Sequence, residues 1–133
     1  MRKFRVFAKN AVKYVDELST FDGLTIAVTN HGGIIAYDLK TKTWMQLDPE
    51  VYEVCYNTYV VDKNKAEIFE NDVLYHGQHH CYYQVVRNNI TQGFDLKEVY
   101  PFNGDSEDLS QALNTILDSE RLGNFSQAMF IEP

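Results

Sequence analysis

Short β-rich segments, separated at close intervals by turn residues, run through most of this chain and constrain its fold more than any other feature. At the start, Phe4, Val6 and Ala8 share one face of an extended segment and the residues between them share the other, which is the period-2 pattern of a strand. Further strands are predicted over 11–15, 24–29, 34–39, 43–47, 51–61, 81–87, 93–100 and 128–131, and a bend followed by a strand is predicted over 66–75. The sequence therefore predicts a mainly β (α+β) protein built from antiparallel hairpins.

One segment near the C-terminus has a helical pattern instead. Asp105 with Asp108 three positions later has the spacing of an N-cap and capping box, and Gly123 stands where a left-handed C-cap belongs. An apolar stripe at helical spacing lies between them: Leu109, Ala112, Leu113, Ile116 and Leu117. We therefore expect one substantial helix from Asp105 to Arg121, packed on the sheet through this stripe.

Length and composition favour one globular domain. A chain of 133 residues with 44% hydrophobic and 23% charged residues can bury a core without disulfides or metals. We predict a single compact domain over 1–133, with a seam at 48–50 if the chain has one. The 9 Tyr and 8 Phe suit strands and also suit binding surfaces.

The charge and the cysteines bear on location and partners. The net charge of −7 and the isoelectric point near 4.9 repel polyanions on average, so direct nucleic-acid binding is not expected. Solubility is the plainer interpretation of this charge, and imitation of a nucleic acid is the alternative. We see no signal peptide and no apolar run of membrane-spanning length. We therefore expect a cytoplasmic protein without a membrane partner, with Cys55 and Cys81 reduced.

Three short runs carry a resemblance to a known family. The central run, Asp62-Lys63-Asn64-Lys65-Ala66-Glu67-Ile68-Phe69-Glu70-Asn71-Asp72-Val73-Leu74, resembles the "DKNGKEIYEGDIV" signature of YopX-like proteins of phages and prophages. The opening Lys3-Phe4-Arg5-Val6-Phe7 is similar to that family's "KFRAW", and Leu122-Gly123-Asn124-Phe125 to its "IGNIY". The resemblance implies a small SH3-like β-barrel preceded by additional β hairpins, acting in the cytoplasm of a bacterial host. It implies no catalytic residues.

The central run departs from the family at two glycines. Lys65 and Asn71 stand where the family usually has glycine. If those positions need a positive φ, Asn71 is tolerable because Asn visits the left-handed region readily. Lys65 is less comfortable there, so we expect the turn at Lys65 to differ.

Two groups of residues are candidate sites. The family-like run offers a binding surface made of Asp62, Asn64, Glu67, Phe69, Glu70 and Asp72. Its carboxylates could hold a metal or act as acid and base, although solvated, backbone-capping roles are commoner in a turn. A second cluster has the donor types of a zinc site: His76, His79, His80 and Cys81. We interpret that cluster as a solvated loop and expect no bound metal and no cofactor.

Three functions are compatible with these features. The first is a non-enzymatic phage or prophage accessory protein that binds a host or phage protein of unknown identity. The second is an acidic DNA mimic that inhibits a host nuclease or defence complex. The third is a small metal-dependent hydrolase that uses His79, His80 and the acidic residues. Self-association is left open.

Overall fold

The computed structural model describes residues 3–29, 31–102 and 104–127. Strands take up 50% of them and helices 9%, which confirms the predicted mainly β fold. In chain order the strands and the α-helix are β1 (Phe4–Ala8), β2 (Lys13–Tyr14), β3 (Leu24–Val28), β4 (Ile34–Asp38), β5 (Thr43–Leu47), β6 (Tyr52–Val61), β7 (Glu67–Phe69), β8 (Asp72–His76), β9 (Cys81–Arg87), β10 (Phe94–Tyr100), β11 (Ser106–Asp108), α1 (Leu113–Leu117) and β12 (Glu120–Asn124). Two short 3-10 helices, Val15–Glu17 and Ser19–Phe21, lie between β2 and β3.

The chain divides into two units, and each has its own core. The N-terminal unit is Phe4–Cys55. It contains the antiparallel sheet β3-β4-β5 and the strands β1 and β2, which pair as a hairpin. Its core consists of Val6, Ala8, Val15, Ile34, Ala36 and Leu47, with partly buried residues such as Tyr52 and Val54 packed against them.

The C-terminal unit is Met1–Lys3 with Tyr56–Pro133. Its main sheet has five strands in the order β11-β10-β9-β8-β12. The structure contains a sheet curled into a half-barrel, which is consistent with the predicted small β fold. The part of β6 that belongs to this unit, from Tyr56 onward, pairs with β7, and Ile68 of β7 is in the core. That core consists of Ile68, Leu74, Val85, Phe94, Leu96, Leu109, Ala112 and Ile116.

The division between the units falls inside β6, between Cys55 and Tyr56. The continuous strand supplies Tyr52 and Val54 to the N-terminal core and Tyr56 and Val60 to the C-terminal core. That the two units form one cooperative domain stays a prediction.

One helix near the C-terminus is confirmed, but its predicted extent was wrong. Within the predicted Asp105–Arg121 segment, Ser106–Asp108 is a strand, Leu113–Leu117 is the helix and Arg121 belongs to β12. Strand β11 pairs with β10. Backbone pairing at the edge of the sheet stabilises this segment more than its weak local helix preference does. The predicted packing of the apolar stripe is confirmed for three of its five residues. Leu109, Ala112 and Ile116 are buried, whereas Leu113 and Leu117 are exposed.

The predicted strands up to β10 are present, and two match their predicted bounds, Thr43–Leu47 and Cys81–Arg87. Two segments differ from prediction. Over 11–15 only Lys13–Tyr14 is a strand, and the segment from 66 contains two strands, Glu67–Phe69 and Asp72–His76, where a bend and one strand were predicted. The predicted strand over 128–131 lies outside the described residues. Among the residues that are described, no helix is long and apolar enough to cross a membrane.

Candidate functional site

The family-like run opens with a turn that Asp62 organises. Asp62 is only 3% exposed. Its Oδ1 accepts the backbone N–H groups of Asn64 (2.8 Å) and Ala66 (2.9 Å). Its Oδ2 accepts the N–H of Arg121 in β12, at 2.7 Å. Because three backbone donors converge on one carboxylate, Asp62 fastens the turn to a strand distant in sequence.

Asp72 has a similar internal role. Its side chain is fully buried and forms an ion pair with Arg121, with 2.6 Å between Nε and Oδ2. Oδ2 also accepts the backbone N–H of Phe69 at 2.7 Å. Arg121 therefore serves both buried aspartates, one through its backbone and one through its guanidinium. Sequence reasoning missed this role of Arg121 because it placed the residue at the end of a helix.

The other candidates of this run are placed differently. Asn64 is exposed, and Phe69 is 2% exposed. Glu67 forms an exposed ion pair with Lys3, at 2.9 Å. Glu70 forms a half-buried ion pair with Arg87 at 3.2 Å. The run is thus largely a structural element, and partner contact by Asn64, Glu67 and Glu70 stays a prediction.

The histidine cluster lies in the turn between β8 and β9. His76 is 2% exposed and its ring stacks on that of His79, with 4.1 Å between the ring centroids. Its Nδ1 accepts the backbone N–H of His79 at 3.1 Å, so one of its ring nitrogens is occupied within the chain. In residues 3–29, 31–102 and 104–127, no three His, Cys, Asp or Glu side chains are grouped to hold a metal.

The Cys81 thiol lies on β9, in surroundings that favour its neutral form. Burial raises its pKa, and the negative charge of Glu98 on the neighbouring strand raises it further. The Tyr83 pKa is raised for related reasons, burial first and then the charges of Cys81 and Glu98. A catalytic thiol needs a lowered pKa, so this environment opposes the role.

Three tyrosines lie side by side on neighbouring strands of the five-stranded sheet. Tyr75, Tyr82 and Tyr100 are cross-strand partners on β8, β9 and β10, and Glu120 of β12 is the partner of Tyr75. The ring centroids of Tyr75 and Tyr82 are 4.8 Å apart, and those of Tyr82 and Tyr100 are 5.8 Å apart. We call Tyr75, Tyr82 and Tyr100 the tyrosine row.

The tyrosine row faces away from the C-terminal core. Leu74 and Tyr83, the chain neighbours of two row members, pack in or against that core. Neighbouring residues of a strand point to opposite faces. All three row tyrosines are partly exposed, and Phe102, just beyond Tyr100, is 73% exposed.

Sequence reasoning noted abundant tyrosines but missed this row. The alternation of Tyr75 and Tyr82 in their strands places each on a face, yet only the strand register brings them side by side. The register depends on the β8–β9 turn and on the irregularity between Glu98 and Tyr100, which local residue patterns do not determine.

Fold and surface together define a small, mainly β protein with an aromatic face. The structure of protein YopX from Bacillus subtilis has this fold: the TM-score is 0.54 at 12% identity, covering 96% of both chains. Protein EF1440 from Enterococcus faecalis is also similar, with a TM-score of 0.56 at 16% identity, covering 96% of this chain and 94% of that one. No family model and no curated protein matches the sequence. The resemblance to YopX-like proteins is thus confirmed in the fold.

Proposed function

We propose that this chain is a non-catalytic accessory protein of a phage or prophage that binds a basic segment of another protein in the host cytoplasm. The tyrosine row is the observation that supports the proposal. It offers three adjacent aromatic rings on one sheet face, which is the type of surface enriched in protein interfaces.

The chemistry of the row favours a cationic partner. The face of a tyrosine ring attracts Arg and Lys side chains through cation–π contacts. Glu120 lies opposite Tyr75, at one end of the row, and adds a carboxylate. The net charge of −7 steers a basic partner toward the protein from a distance and repels an acidic one.

The two alternatives have less support. Several carboxylates that a DNA mimic could present are paired with cations within the chain: Asp16, Glu53, Glu67 and Glu70. The hydrolase hypothesis relies on His79 and His80, which are exposed in a turn. The nearby thiol has a raised pKa.

The test is affinity capture from bacterial lysate with the wild-type protein, Tyr82→Ser and Tyr59→Ser. Tyr59 is the matched control, because it is an exposed tyrosine on β6, outside the row. We expect a captured protein that is lost with Tyr82→Ser, retained with Tyr59→Ser, and released between about 0.05 and 0.5 M salt. A partner retained equally by both variants contradicts the role of the row. Capture limited to nucleases, competed by DNA, would instead support the mimic.

A further inference from the structure

Strand β5 is an edge of the N-terminal unit that lacks the usual protection. In the sheet β3-β4-β5, β4 is the only described strand hydrogen-bonded to β5. Natural edge strands are commonly protected by charges, prolines, bulges or very short length. The five residues of β5, Thr43 to Leu47, include no charge and no proline, and their ladder with β4 has no register shift.

Large apolar side chains are exposed along this edge. Trp44 is 70% exposed and Met45 is 51% exposed. Met45 is the cross-strand partner of Ala36, which is 2% exposed in the N-terminal core. Met45 therefore lies on the core face of the sheet, at a position that no described neighbour covers completely. A depression of about 260 Å³ adjoins it, lined by Leu24, Ala36, Asp38, Thr43, Trp44 and Met45.

The charges that flank β5 select one type of partner strand. Lys40 and Lys42 precede the strand, and Asp48 and Glu50 follow it. Two copies of this segment aligned antiparallel bring the lysine end of each against the acidic end of the other. Parallel alignment brings like charges together, which is unfavourable. The segment is therefore complementary to itself in one direction.

We propose that β5 pairs antiparallel with β5 of a second copy of this chain, about a two-fold axis at Met45. The two three-stranded sheets become one continuous sheet. In this register Met45 faces Met45, Trp44 faces Gln46, and Lys42 faces Asp48 of the second copy. Residues directly opposite in an antiparallel pair share a face, so each Met45 covers the open edge of the other copy's core. Such an interface is isologous, as the contacts of a two-fold dimer must be.

Sedimentation equilibrium of the full chain tests this pairing through Met45→Lys. The substitution places two ammonium groups opposite each other at the axis. Ile90→Lys is the matched control, because Ile90 is 93% exposed in the turn between β9 and β10. We expect the wild-type chain to dimerise between about 1 μM and 1 mM, and Met45→Lys to raise the dissociation constant about tenfold or more. Ile90→Lys should leave the dissociation constant unchanged.

A charge exchange tests the register independently. Lys40→Glu/Lys42→Glu makes both ends of the segment acidic, and Asp48→Asn/Glu50→Lys makes both ends basic. The change to asparagine keeps a side-chain oxygen for the backbone N–H of residue 50, which Asp48 accepts at 2.9 Å in the wild-type chain. Each double variant alone should dimerise more weakly than wild type, and their equimolar mixture should form heterodimers.

Two results overturn the inference. One is a wild-type chain that stays monomeric throughout this range, which would leave the edge to a strand of a different protein. The other is dimerisation that Met45→Lys weakens no more than Ile90→Lys does. Tyr82→Ser should leave dimerisation intact, so this inference and the proposed function fail separately.

Discussion

At the scale of single residues, Arg121 compensates two buried charges of the C-terminal unit. Its backbone N–H donates to Asp62 and its guanidinium pairs with Asp72. Asp72 is fully buried, and the guanidinium of Arg121 lies 2.6 Å from its carboxylate. A buried charge is tolerable only when it is paired and hydrogen-bonded. Both aspartates of the family-like run, Asp62 and Asp72, therefore have structural roles in the fold.

Replacing Arg121 by Met should therefore lower the free energy of unfolding by about 3–5 kcal/mol, because it leaves the Asp72 charge buried without its ion-pair partner. Urea unfolding followed by circular dichroism measures the change. The double variant Asp72→Asn/Arg121→Met removes both charges and should recover part of the loss. A single variant within about 0.5 kcal/mol of wild type would contradict the structural role.

Lys65 and Asn71 stand where YopX-like proteins usually have glycine, and the backbone at each position can be described locally. Lys65 has φ of 63° and Asn71 has φ of 67°, so both positions are left-handed although neither residue is glycine. That the turn at Lys65 differs from the turn of YopX-like proteins stays a prediction. In this chain the lysine adopts a conformation that is costly for a residue with a Cβ.

Lys65→Gly should accordingly raise the free energy of unfolding by about 0.5–1 kcal/mol, because it relieves the strained φ. Lys63→Gly is the control: it changes a lysine of the same turn that lacks a positive φ. That control should destabilise the protein, because glycine only adds freedom to the unfolded chain. Parallel urea melts decide the matter, and equal effects of the two substitutions would refute the strain argument.

At the scale of secondary structure, the sequence predicted the hairpins well because their evidence is local. Alternation and turn residues determine where β4, β5 and β9 begin and end. The segment from Asp105 failed because both a helix and a strand suit it locally, and the free edge of β10 decided the outcome. The tyrosine row was beyond prediction for a similar reason, since a cross-strand row depends on register.

The short helix α1 provides the prediction at this scale. Ile116 is fully buried in the C-terminal core, whereas Leu113 on the same helix is 40% exposed. Ile116→Ala should cost about 2–5 kcal/mol of stability through the cavity it leaves. Leu113→Ala should cost less than about 1 kcal/mol. Denaturant melts that give both variants the same loss would show that the helix does not pack as described.

At the scale of the whole molecule, two cores are linked by one strand. β6 supplies side chains to each core without a break in the strand. We therefore expect the two units to unfold together, as the predicted single domain requires. In native-state hydrogen exchange, the slowest amides of β4 and β9 should report the same free energy of opening. A difference of more than about 1 kcal/mol between the strands would mean two separately folding units.

The tyrosine row is proposed to bind basic segments of another protein. Fluorescence anisotropy measures this binding with an arginine-rich peptide as the probe and a glutamate-rich peptide as its control. Wild type and Tyr59→Ser should bind the arginine-rich peptide equally, and Tyr82→Ser about fivefold more weakly, which corresponds to one lost cation–π contact. Equal affinity of all three proteins would show that only net charge attracts the peptide, and the claim would be wrong.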